Sequence, residues 1–306
     1  MTVMTPLKAA AAAAALALAT MATAPPAAAQ TAAEVLAATT PADWRGLDLD
    51  NTLVMTLADG QQVLIELNPV FAPATVENIR VLTTQGYFDG LSINRVQDNY
   101  VTQWGDPASE DAERRSLGAA SATVTPEFVR RRDRSVPFTR LRDGDVYARE
   151  VGFSNGFPVA RNSREMWMTH CYGMVGVGRD TAPDSGSGAE LYAVIGHAPR
   201  HLDRNITLVG RVVAGMSALT ALPRGTAPLG FYEEPSQRTG IRSVELASSL
   251  PDGGPAGSIE ILRTDTEAFA AWVDTRRNRR DDWFYEPAGR IDVCNLWLPS
   301  RQRPAN

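Results

Sequence analysis

The sequence predicts a mainly β fold, and three observations carry that expectation. The stretch "NTLVMTLADGQQVLIELNP" reads as two strands, with Leu53, Met55 and Leu57 on one face of the first and an Asp59-Gly60 turn between them. Further on, "YGMVGVGRD", "AELYAVIG" and "ITLVGRVVAG" are short apolar runs separated by loops rich in Gly, Asp, Ser and Pro. Helical periodicity is confined to a few brief segments.

Taken in order, "MTVMTPLK" carries one positive charge at Lys8, an alanine-rich apolar run follows, and "PPAAAQ" ends in a small-residue cleavage pattern. That order predicts a secretory signal peptide cut after Ala29, and hence a periplasmic protein. Pro25 and Pro26 break the apolar run, which argues against a membrane anchor, and no later stretch is long or apolar enough to span a bilayer. Residues 30–49 are expected to be a linker with a short helix at best. After the paired strands, "APATVENIRVLTTQG" predicts a helix: Pro73 suits its first turn, Val76, Ile79 and Leu82 form its stripe, and Gly86 ends it. "INRVQDNYVTQWGDP" then predicts a strand, a turn at Asp98-Asn99 and a second strand.

Residues 108–165 begin rich in arginine and acid with weak periodicity, and predict a surface insertion with short strands. Its "RRRDRS" run reads as a solvated face. "MSALTALP" predicts a short helix, and "IRSVELA" the last strand of the main body. In the tail, "GSIEILR" predicts a strand, and Thr264 with Glu267 a capping box that opens a helix with Phe269, Trp272 and Val273 on its apolar face. "IDVCNLWLP" closes the chain with alternating apolar residues.

The 306 residues carry a net charge of −5, which argues against nucleic acid as a main partner. Lys8 is the only lysine, so arginine abundance is a compositional habit and not a motif. Cys171 and Cys294 are the only cysteines. In an oxidising compartment such a pair is expected to bridge, as a staple and not as redox chemistry, because there is no C-x-x-C.

Common catalytic signatures are missing: there is no H-E-x-x-H, no P-loop and no G-x-G-x-x-G at a strand-to-helix turn. His170, His197 and His201 lack the spacing and acidic neighbours of a structural metal site. "MTHC" and "PDSGSG" look in passing like serine-protease motifs. His170 and Ser185 stand too close in sequence for the barrel and acid that a triad needs between them.

Four segments in the right order resemble the cyclophilins. "GQQVLIELNPVFAPATVENIRVLTTQGYFDG" is similar to their opening strand, proline-led helix and Gly-aromatic-Asp-Gly turn. "INRVQDNYVTQWGDP" resembles their Phe-His-Arg strand and the following Gln-Gly-Gly-Asp. "YGMVGVGRDTAPDSGSGAELYAVIG" resembles their Met-Ala-Asn loop and Ser-Gln-Phe-Phe strand, and "RHLDRNITLVGRVVAGM" their Trp-Leu-Asp segment and Phe-Gly-Arg-Val-Val-Gly-Met strand. The resemblance implies a closed eight-stranded antiparallel β-barrel capped by two helices over residues 50–247. The insertion then becomes an arm of that domain, and residues 248–306 a C-terminal extension packing back on it.

The resemblance also implies a peptidyl-prolyl cis-trans isomerase that needs no cofactor and acts on proline-containing unfolded or folding polypeptides. Arg95 falls at the catalytic arginine, and Gln103 at the glutamine that holds the substrate backbone and orients that arginine. Tyr100, Val101, Tyr192 and Leu202 fall at the proline pocket. Asn94 stands where histidine is frequent, Gly178 and Arg179 replace an alanine-asparagine pair lining the cleft, and Ala189 and Glu190 replace serine-glutamine. His201 takes a tryptophan position and Ile206 a histidine position beside the pocket. Glu190 thus brings a carboxylate to the groove as a competing partner for Arg95 or Arg179. These departures set a second expectation beside the first: a binding module of the same fold, weak or inactive as a catalyst, whose insertion or extension docks onto an envelope protein.

Overall fold

The computed structural model describes residues 30–108, 113–279, 281 and 283–304; the expected leader, residues 1–29, lies outside them. The chain opens with helix α1 (Ala32–Ala37), strand β1 (Trp44–Gly46), the hairpin β2 (Thr52–Leu57) and β3 (Gln62–Leu67), and helix α2 (Pro73–Thr84). Strands β4 (Ser92–Val96) and β5 (Val101–Gly105) follow. The insertion supplies β6 (Arg130–Arg131), β7 (Thr139–Leu141), β8 (Glu150–Ser154), β9 (Phe157–Arg161) and β10 (Glu165–Met168). Then come β11 (Met174–Val177), β12 (Leu191–Val194), β13 (Leu208–Ala214), α3 (Met216–Thr220) and β14 (Thr239–Leu246). The tail holds β15 (Ile259–Leu262), α4 (Glu267–Arg277) and β16 (Ser300–Gln302).

Eight strands close into an antiparallel barrel in the order β11-β12-β5-β4-β14-β2-β3-β13, with β13 returning to β11. The two-residue side-chain period puts Leu53, Met55 and Leu57 of β2, Val63 and Ile65 of β3, and Trp104 of β5 in the sealed interior. Gly60 takes a φ of +90° in the β2–β3 turn, a conformation that glycine reaches without strain. One barrel end is closed by Val76, Ile79 and Leu82 of α2, and Ala218 and Leu219 of α3 join the same core. Helix α2 has no side-chain cap of its own. Glu127 of the insertion does that work, its carboxylate accepting from the N–H groups of Ala74 and Thr75 at 3.0 and 2.9 Å. A carboxylate there satisfies free donors and complements the helix dipole.

Residues 30–49, expected to be a linker, instead supply α1 and β1 to a second module. There β1 pairs with β15 and β15 with β16, while α1 packs on α4. The insertion is more than an arm: β6-β10-β9-β8-β7 form a five-stranded sheet. Both sheets and both helices share one core, which includes Val35, Trp44, Phe153, Trp167, Phe269 and Trp272. Part of the arginine content is absorbed here, since Arg161, Arg140 and Arg132 converge on Glu150 at 2.7, 3.2 and 3.9 Å.

One further expectation for the tail is corrected. The cap of α4 is Thr266, whose hydroxyl accepts from the Phe269 N–H at 3.2 Å, and Thr264 is buried. The alternating apolar residues of "IDVCNLWLP" form a 3-10 turn at Val293–Asn295, and the closing strand β16 begins at Ser300. Cys171 and Cys294 are disulfide-bonded, which fastens the tail to the start of the β11 side of the barrel.

Candidate active site

Arg95 and Gln103 are directly opposite one another on β4 and β5. Strict alternation would turn Arg95 to the same side as Ile93, into the barrel. The register slips between Ile93 and Arg95, so Asn94 is the extra residue of a bulge. Ile93 and Val96 therefore both point inward while Arg95 emerges on the outer wall. Asn94 holds the bulge, donating to the Gly105 carbonyl at 2.9 Å and accepting from the Ser92 hydroxyl at 2.8 Å. The irregular spacing of "INRV" is the sequence trace of this kink.

The half-buried Arg95 guanidinium donates from Nε to the Leu229 carbonyl at 2.6 Å, from Nη1 to Gln103 Oε1 at 3.1 Å, and from Nη2 to Gln97 Oε1. Tyr100 lies on one flank and Phe231 on another, their ring centroids 5.5 and 5.4 Å from Cζ. Burial pushes its pKa down, yet a guanidinium at this depth stays charged. No carboxylate is paired with it among the described residues. With three of five N–H groups engaged, each terminal nitrogen keeps one donor for a ligand.

Sequence reasoning missed Leu229, Phe231 and Gln97. The segment carrying the first two runs beside the part of β4 that β14 leaves unpaired, tied by Gly225 N–H to the Val96 carbonyl and Tyr232 N–H to the Asn94 carbonyl, each 3.0 Å. Leu229 and Phe231 are 66% and 38% exposed, the largest apolar surfaces next to the guanidinium.

Of the expected proline pocket, Val101 and Tyr192 come together with Val194, and Tyr100 and Ile206 pack against them. Leu202, at the end of the 3-10 turn Arg200–Leu202, is half-buried and stays outside that cluster. Val101 and Tyr192 are only 2% and 4% exposed, so they form a floor beneath Tyr100 and Ile206 and not an open wall. The Tyr192 hydroxyl bonds inward to His170 Nε2 at 2.8 Å. His201 is exposed.

On the other flank, Gln103 Nε2 donates to Glu190 Oε2 at 2.9 Å, giving the chain Arg95–Gln103–Glu190. Glu190 therefore meets Arg95 only through the amide, and it is not paired with Arg179. Arg179 is held by the carbonyls of Asn205, at 3.0 and 3.1 Å, and Asp180, at 2.6 Å. Gly178 leaves room for this arrangement, since a Cβ there would stand 3.0 Å from Glu190 Cβ and 3.3 Å from Gln103 Nε2. Burial pushes the Glu190 pKa up, with the Gln103 hydrogen bond opposing. Among the described residues no cluster of three or more His, Cys, Asp or Glu could hold a metal ion, and no helix is long and apolar enough to cross a membrane.

The family model described as cyclophilin type peptidyl-prolyl cis-trans isomerase/CLD matches residues 52–246. A probable peptidyl-prolyl cis-trans isomerase of Brucella suis is 26% identical over 193 residues, 62% of this chain and 81% of that protein. Peptidyl-prolyl cis-trans isomerase B of Bacillus subtilis is 43% identical over 51 residues, 17% of this chain and 36% of that protein. Among solved structures, the cyclophilin AquaCyp293 from Hirschia baltica has a TM-score of 0.67 at 26% identity, covering 90% of this chain and 99% of that one. That likeness therefore reaches beyond the barrel into the flanking module. With the matched span running from β2 through β14 and a closed eight-stranded barrel beneath it, this chain belongs to the cyclophilin-type peptidyl-prolyl cis-trans isomerase family.

Proposed function

We propose that the chain accelerates cis-trans rotation of X-Pro bonds in unfolded or folding polypeptides, with Arg95 as the catalytic residue. Rotation about a peptide bond costs about 18–20 kcal/mol because the C–N bond has partial double-bond character. In the twisted state the prolyl nitrogen recovers its lone pair and becomes an acceptor. A fixed cation donating to that nitrogen favours the twisted state over either planar isomer, and preorganised donors act most strongly where water is excluded. The observation that carries this reading is the Arg95 guanidinium, clamped by three acceptors between two aromatic rings and still holding a free donor on each terminal nitrogen.

Gln103 orients Arg95 through its carbonyl oxygen. Its amide nitrogen gives one N–H to Glu190 and has a second for a substrate carbonyl. The proline ring rests on Tyr100 and Ile206, over the Val101–Tyr192 floor. Gly178 and Arg179 border the groove on the far side. The disulfide supports an oxidising compartment, and with it exported proteins as substrates.

Exchange spectroscopy on a proline-containing peptide tests the reading: Arg95→Ala is expected to abolish most of the acceleration while the circular dichroism spectrum stays that of the folded protein. Equal exchange rates with variant and parent sink it. A second reading is favoured by the sealed Val101–Tyr192 floor and the Leu229 carbonyl on Arg95 Nε: the groove binds peptides without turning them over. Saturable peptide binding by the parent protein, with no change in exchange rate, selects that alternative.

A further inference from the structure

A continuous chain of buried polar groups runs from the inserted module to the floor of the groove. Asp145, in the loop between β7 and β8, grips Arg200 with both oxygens, at 2.8 and 3.2 Å. Arg200 Nε donates to Asp203 Oδ2 at 2.6 Å. The other Asp203 oxygen meets both the backbone N–H and the ring Nδ1 of His170, at 2.9 and 3.0 Å. His170 Nε2 is then 2.8 Å from the Tyr192 hydroxyl.

The chemistry fixes the direction of every link. Asp203 is held ionised by His170 and Arg200 against the cost of its burial. An ionised carboxylate only accepts, so His170 must carry its proton on Nδ1. Burial pushes the His170 pKa down and keeps the ring neutral, so Nε2 is a bare acceptor and Tyr192 must donate to it. The phenol has no freedom to turn. Gly176, directly across from Tyr192, makes the pose possible, because a Cβ there would fall 2.4 Å from the hydroxyl oxygen.

We propose that His170, Asp203, Arg200 and Asp145 are positioning residues, which fix the Tyr192 ring as the floor of the proline seat and make the inserted module part of the catalytic apparatus. The proposal rests on the isomerase reading. A salt cluster that only fastened the module to the barrel would be complete at Arg200 with its two carboxylates. Here it continues through a wholly buried imidazole and ends on a ring that lies under the groove.

The test is a double-mutant cycle in the full chain, using Asp145→Asn, Tyr192→Phe and the pair, read as kcat and KM on an Ala-Pro peptide. Asp145→Asn is expected to lower kcat/KM about three- to tenfold when Tyr192 is present and to change it less than about twofold beside phenylalanine, because coupled positions are non-additive. Equal losses in both backgrounds, or no loss in a folded Asp145→Asn protein, overturn the proposal. Nitrogen-15 NMR of the parent protein needs no variant and covers the case in which Asp145→Asn fails to fold. An Nδ1-protonated neutral His170 supports the chain, and the opposite tautomer refutes it. If the parent protein has no isomerase activity, the catalytic reading fails by itself. The tether is then judged by whether folded His170→Gln displaces the Tyr192 ring resonances, an unmoved ring counting against it.

Discussion

In the proposed mechanism the guanidinium of Arg95 acts well because its geometry is settled before any ligand arrives. A lysine at this position would keep the charge and lose the planar fork that Leu229, Gln103 and Gln97 hold from three sides. Glu190 gives this site a pH signature. Burial raises its pKa above the ordinary 4.5, so the carboxyl keeps its proton to higher pH than a free glutamate, and once protonated it is a poorer acceptor for Gln103 Nε2. As pH rises the carboxylate forms, Gln103 is drawn to it by its nitrogen end, and its oxygen stays on Arg95. Isomerase rate is therefore expected to climb with pH through a step lying above 4.5. Glu190→Gln, which accepts the same hydrogen bond without titrating, should flatten that step; a profile unchanged by the substitution contradicts the assignment.

At the scale of elements, the loop that lies along β4 is the part of the site most open to challenge. Phe231 packs beside Arg95 and is partly exposed, so Phe231→Ala removes an aromatic wall at little cost to the core. The expected outcome is a kcat/KM drop of about tenfold with thermal stability changed by no more than about 1 kcal/mol. Helix α4 offers a sharper choice between two threonines. Thr266→Ala should cost about 1 kcal/mol in urea unfolding, the usual value of a lost N-cap, and an equal midpoint in parent and variant would remove Thr266 from that role.

Which elements were legible follows from the range of the forces that build them. The barrel hairpins announce themselves because alternation and turn chemistry are local, as at Asp59-Gly60. The capping-box pattern fitted Thr264, but two threonines stand two residues apart and only tertiary burial of the first decides between them. The insertion hid its sheet behind arginine, although Asn155-Gly156, both at positive φ, is a hairpin signal in plain view between β8 and β9. Arg95 and Gln103 were singled out by resemblance, and they do face each other across β4 and β5. Leu229 was not, because its carbonyl reaches Arg95 across 134 positions and leaves no local mark.

At the scale of the molecule, charge joins the barrel to the second core. Glu66 of the barrel, nearly sealed, accepts from Arg45 of β1 at 2.6 Å and from Arg211 of β13 at 3.3 Å. Within the second module, Arg277 of α4 is paired with Asp143 of the insertion at 2.6 Å. The disulfide closes a separation of 123 residues, for which chain-entropy reasoning gives about 5 kcal/mol. Urea unfolding with and without reductant should show that difference, and coincident curves would mean that the staple adds nothing. The second core is assembled from an opening segment, an interruption of the barrel and the closing tail. During synthesis the barrel has all its strands once residue 246 has emerged. Trp167, Phe153 and Trp44 must wait for Phe269, Trp272 and Leu296 to cover them. A nascent chain thus passes through an interval in which one half is finished and the other still shows bare aromatic surface, the stage at which such a protein itself most needs a chaperone.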